Sequence, residues 1–86
     1  MPASEDAPRD GDTAIRKRSV TLAGHRTSVS VENAFWTHLK AIAVERDIAV
    51  AQILTEIDSA RRGNLSSAVR LYVLDWLTKK AANRAP

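Results

Sequence analysis

Residues 18–36, RSVTLAGHRTSVSVENAFW, change period halfway along. Arg26-Thr27-Ser28-Val29-Ser30-Val31 alternates strictly. Thr27, Val29 and Val31 therefore fall on one face of an extended strand, and Arg26, Ser28 and Ser30 on the other. The first face is β-branched throughout, as a half-buried strand prefers. The second offers only hydrogen-bonding side chains. After Val31 the spacing becomes helical, with Phe35, Trp36, Leu39, Ile42 and Ala43 three and four apart. No second alternating segment lies outside this region. A lone strand leaves its backbone groups unpaired and its apolar face uncovered. It needs a partner, and the expectation is the same strand of a second copy, paired antiparallel across a homodimer.

The residues just before this strand leave its beginning open. Val20 and Leu22 are also two apart, but they are even-numbered where Val29 and Val31 are odd, with Gly24 between. Three arrangements fit: one long strand bulged at Gly24, a short arm before the true strand, or a tight hairpin within the chain. For the last, Ala23-Gly24 is a weak turn signal.

Three amphipathic helices are expected downstream. The first runs over residues 32–46, capped by Ser30 or Asn33, and breaks near Asp47. The second covers residues 48–62, with Ile48, Ile53, Leu54, Ile57 and Ala60 on one stripe and Gly63-Asn64 as its stop. Arg61 and Arg62 there complement the helix dipole. The third begins at Ser67 with Ser66 as its cap. Its main stripe is Val69, Tyr72, Val73, Trp76 and Leu77, and Leu71 and Leu74 extend the apolar surface to a second face. A helix apolar on two sides is covered from two sides, which points to contact with another subunit or protein. Residues 1–14, with Pro2, Pro8 and four acids, read as a disordered acidic tail. Residues 15–82 form the folded domain and 83–86 a frayed end.

In 86 residues there is no cysteine, and His25 and His38 are the only imidazoles, on different elements. No nucleophile and base recur at a useful spacing, and no phosphate-cradling glycine loop occurs. The reading is of a non-enzyme without metal or cofactor. No apolar run approaches the ~20 residues of a membrane span, and the acidic N-terminus is unlike a secretory signal, so a cytoplasmic location is expected. The net charge of +3 is unevenly placed. Residues 16–31 hold Arg16, Lys17, Arg18 and Arg26 and no acid. Basic charge beside a polar strand face suits a polyanion.

The runs RKRSVTLAGHRTSVSVENAFW, LKAIAVERDIAVAQILTEID and GNLSSAVRLYVLDW together resemble the ribbon-helix-helix family of bacterial DNA-binding proteins over residues 16–77. The resemblance implies a mostly α chain with a two-stranded ribbon, here followed by an additional C-terminal helix. It implies a homodimer that places the ribbon in the major groove of DNA as a regulator of transcription. Carried over by position, it sets Arg26, Ser28 and Ser30 against base edges. Arg16, Lys17 and Arg18 take phosphate contacts, with the backbone N–H groups of Ala49 and Val50 at a helix start. Asp47 stands where the family often has glycine, and Ala49 where it often has a hydroxyl cap. The wording NLSSAVRLYVL also resembles a family second helix, which would make residues 48–62 an insertion. The helix spacing after the strand favours the first assignment. The alternative function is a protein-interaction module, antitoxin-like or an adaptor, that uses the apolar last helix to hold a protein partner.

Overall fold

The computed structural model describes residues 10–60 and 63–83. Most of the expected tail, Arg61 and Arg62, and residues 84–86 lie outside them. The element order is α1 (Asp10–Thr13), β1 (Ile15–Leu22), β2 (His25–Glu32), α2 (Asn33–Arg46), α3 (Val50–Ala60) and α4 (Leu65–Asn83). A two-stranded ribbon leads into helices, and a long further helix closes the chain, as expected.

The source of the second strand differs from expectation. β1 and β2 pair antiparallel within one chain, from Ile15 opposite Glu32 to Leu22 opposite His25. Pairing across a homodimer is therefore not what satisfies β2, because β1 does so. The numbering explains the geometry. Every pair joins an odd residue to an even one, and opposed side chains share a face. The change of phase across Gly24 thus brings Val20 and Leu22 to the face of Val29 and Val31. It is the mark of a hairpin and not of a bulge.

Ala23 and Gly24 make the turn, with φ of 51° and 86°. Positive φ at both central residues gives the twist that antiparallel strands need. Gly24 adopts it without a Cβ clash, whereas alanine in this region costs about 1–2 kcal/mol. Ala23→Asn should relieve part of this and raise stability by about 1 kcal/mol, measured as an upward shift of the urea midpoint.

The helix ends also differ in detail from their sequence signals. Neither Ser30 nor Asn33 caps α2. Ser30 lies inside β2, and the cap position falls to Glu32, whose side chain makes no capping bond. Asn33 instead joins the ribbon to α1, since its backbone N–H donates to the Ala14 carbonyl and its side-chain amide to that of Gly11. α2 closes on Asp47 at φ 57°. The Asp47 N–H donates to Val44 O at 3.1 Å and the Ile48 N–H to Ala43 O at 3.0 Å, the pair of bonds that glycine usually permits. At α4 the cap is Asn64 and not Ser66. Its Oδ1 accepts the Ser67 N–H at 3.1 Å. Ser66 is thereby free to serve β2.

The core lies between one face of the hairpin and the three long helices. Val29, Val31, Leu39, Ile53 and Val69 are wholly buried, and Leu22, Leu54 and Val73 nearly so. α3 packs on β1, while α2 and α4 pack on β2. Because Ile53, Leu54 and Ile57 are core residues, the segment after Asp47 is an integral helix of the fold. Burying each such side chain contributes about 1.5–3 kcal/mol. Ion pairs then fasten the helices at the surface. Arg46 forks onto Glu56 at 2.9 and 3.1 Å and donates to the Tyr72 hydroxyl at 3.0 Å. Lys80 reaches Glu45 at 2.8 Å.

Candidate nucleic-acid interface

Hairpin register sorts the side chains into two rows. The inner row holds Val20, Leu22, Val29 and Val31 against the helices. The outer row sets Lys17 opposite Ser30, Ser19 opposite Ser28, and Thr21 opposite Arg26. Lys17, Ser19, Thr21 and Arg26 are exposed, and Ser28 and Ser30 are half-buried. These six side chains form one face that can donate and accept hydrogen bonds along its length and carries a cation at each end.

The backbone of the same residues points sideways. The Asn33–Ala14 bond continues the ladder through the odd residues of β2, so the N–H groups of even residues face the ribbon's edge. One of them is covered, because the Ser30 N–H donates to Ser66 Oγ at 2.9 Å. The start of α4 thus braces the outer strand. Glu32, at the far end of the outer face, accepts from Arg70 Nε at 2.9 Å, so its negative charge is balanced beside the polar row.

The expected residues are partly gathered and partly separated. Arg26, Ser28 and Ser30 stand together, and Lys17 joins them. Arg16 is exposed, but it shares the opposite face with Arg18. Arg18 is half-buried. Its Nη2 donates to Asn33 Oδ1 at 3.0 Å, and its guanidinium lies 4.5 Å from the centroid of Trp36. Burial, then repulsion from Arg16, lowers its pKa from the usual arginine value. Arg18 therefore ties the ribbon to α2, and its guanidinium is turned away from the Lys17–Arg26 face. Ala49 and Val50 stand apart, at the start of α3, where the Ala49 carbonyl accepts the Gln52 N–H at 3.0 Å. Ser19 and Thr21 lie outside the expected set. Their signal is the alternation of Lys17, Ser19 and Thr21 with Arg18, Val20 and Leu22, legible only once β1 is taken as a strand.

Two carboxylates report on how the ribbon and helices are held. Hydrogen bonding to Arg70 keeps Glu32 below the usual carboxylate pKa, and hydrogen bonding to Arg46 does the same for Glu56. A depressed native value means that the unfolded chain binds more protons. The stabilisation is fully present above the ordinary carboxylate pKa and is lost as pH falls through the depressed values. Urea midpoints measured from about pH 6 down to about pH 3 should fall, and Glu32→Gln should flatten part of that decline.

A two-stranded ribbon with a basic, hydroxyl-rich face, carried on helices, is a form that enters the DNA major groove. The ribbon-helix-helix domain model matches residues 15–77, and the chain belongs to that family, whose fold is one of DNA-binding regulators. Among solved structures, an uncharacterized protein from Bordetella pertussis Tohama I is similar. It is 26% identical, with a TM-score of 0.75 over 91% of this chain and 67% of that one. No curated protein matches the chain. Among the described residues, no helix is long and apolar enough to cross a membrane, and no cluster of His, Cys, Asp or Glu could hold a metal ion.

Proposed function

We propose that this protein is a cytoplasmic, homodimeric, sequence-specific DNA-binding regulator of transcription that reads the major groove with its hairpin. The observation that carries the reading is the outer face: six polar side chains, two of them cationic, on a ribbon whose other face is core. A groove about 12 Å wide admits two strands about 4.8 Å apart. Arg26 can pair through both donors with a guanine, and Ser28 and Ser30 can donate or accept at neighbouring base edges. Arg16 and the N–H groups of Ala49 and Val50 supply phosphate contacts, which position without reading. The role in dimerisation passes from the strand to α4. Its Leu71, Leu74 and Leu77 are 65%, 58% and 38% exposed, a row that a second copy would cover.

Selection of bound sequences from a random duplex library at fixed salt tests the reading. A preferred sequence should emerge, and affinity should fall steeply with salt. Arg16→Ala should weaken all sequences alike and lower the salt slope by about one. Absence of any enrichment would sink the proposal. The same leucine row favours a second reading, a protein-interaction module. Capture of a protein that survives nuclease treatment and is lost in Leu71→Glu would support it.

A further inference from the structure

The last turn of α2 and the C-terminal half of α4 border an open cleft of about 370 Å³. Tyr72 and Trp76 form its wall. Their rings stack with centroids 6.4 Å apart, and both are packed against the core. The Tyr72 hydroxyl accepts from Arg46, itself forked onto Glu56, so the wall is fixed before anything binds. The rim carries two ion pairs. Lys80 Nζ donates to both oxygens of Glu45, at 2.8 and 3.0 Å, and so joins α4 to α2. Lys79 Nζ meets Asp75 Oδ2 at 3.0 Å. Tyr72, Trp76 and Lys79 are four and three residues apart and share one face of α4, while Leu71 and Leu74 lie on another. The cleft is therefore separate both from the leucine row and from the polar outer face of the ribbon.

We propose that this cleft binds a free aromatic α-amino acid, with its ring on Trp76 and its head group across Asp75 and Lys79. The volume is at the small end of the ~300–1,000 Å³ of ligand pockets, which suits one flat ring on a short head group. An aromatic wall takes a second ring offset or edge-on. The rim selects the type of charge. It holds two acids and two cations, so it favours neither a bare anion nor a bare cation. Opposite charges 3.0 Å apart form a dipole, and the adjacent ammonium and carboxylate of an amino acid match it in reverse. Neither ion pair has to break. An ammonium has three donors and a carboxylate about four lone-pair sites. Asp75 can therefore still accept from the ligand's ammonium, and Lys79 and Lys80 can still donate to its carboxylate. The Asp75–Lys79 pair is exposed, and pairs of that kind are readily rearranged because they contribute little to stability. A ligand seated here fastens α4 to α2. The other end of α4 braces the ribbon through Ser66 and Arg70, so binding stabilises the whole domain. The site stands independently of the DNA-binding reading.

The test is a titration of the full-length protein with L-phenylalanine, followed through the two indole N–H signals in nitrogen-15 correlation spectra. The Trp76 signal should shift and saturate at one ligand per chain, the Trp36 signal should stay, and the thermal midpoint should rise. L-Alanine, N-acetyl-L-phenylalanine and L-phenylalanine amide each lack one of the three recognised groups, and each should bind about tenfold more weakly or worse. Asp75→Asn is exposed and should fold normally by circular dichroism. It should weaken L-phenylalanine about tenfold and leave the acetylated compound, which has no ammonium, unchanged. No saturable shift of Trp76 at millimolar ligand would overturn the proposal. Equal binding of all three ring-bearing compounds would also overturn it, since that is an apolar surface without head-group recognition. Tightest binding by the amide would do the same by making the cleft a site for cations.

Discussion

Arg26→Ala is expected to lose roughly five- to over a hundredfold in discrimination at one guanine, the equivalent of about 1–3 kcal/mol. The thermal midpoint should barely change. Both halves of this result follow from where Arg26 sits. It is exposed at the turn end of the outer row, opposite Thr21, on the face turned away from the core. The change leaves the proposed phosphate contacts of Arg16, Ala49 and Val50 in place, so binding to unrelated DNA should be nearly retained. The measurement is a competition titration of the selected duplex against one with that guanine replaced. Equal affinities for the two would remove Arg26 from the reading face.

The largest effect on stability should come from Val29→Asp. Val29 is wholly buried in the core, where a carboxylate would have no water and would have to draw the Arg18 guanidinium, opposite it in the ladder, away from Asn33 and Trp36. Burying a charge with only part of a partner's compensation costs about 3–5 kcal/mol. A chain of this size has a total stability of only about 4–13 kcal/mol by the usual range per residue. The variant should therefore be largely unfolded at modest urea concentrations, by circular dichroism. Its neighbour supplies the control. Ser28 belongs to the outer row, so Ser28→Ala should stay within about 0.5 kcal/mol of the parent and alter only base preference. Similar stability losses from both changes would mean that the two faces of β2 have been assigned wrongly.

The contrast between these neighbours was already present in the residues. Alternation from Arg26 to Val31 sets one face polar and one apolar whatever the strand pairs with, because a pleated chain turns its side chains by half a revolution per residue. The helices announced themselves in the same local way, through apolar spacing of three and four, and Asp47 through its position between two such runs. Caps were less legible. Ser66 and Asn64 are both good cap residues by chemistry, and the choice of Asn64 depends on where β2 lies. Once the edge of the strand runs beside α4, Ser66 is taken by the Ser30 N–H.

Arg16, Lys17 and Arg18 show the limit most sharply. In the chain they are one basic cluster with one apparent role. In the fold Lys17 reaches the polar outer face, Arg16 stays exposed on the other, and Arg18 closes over Trp36. Local residue order by itself settled that a basic, hydroxyl-bearing strand precedes helices with a shared apolar side, since those properties depend on a few adjacent residues. The identity of the partner strand, and with it the second half of the polar outer face, was decided only in three dimensions. Ala23 is a poor turn residue, yet the hairpin forms because pairing lets Leu22, Val29 and Val31 bury against the same helices. That gain exceeds a local cost of about 1–2 kcal/mol, and no window of neighbouring residues can display it.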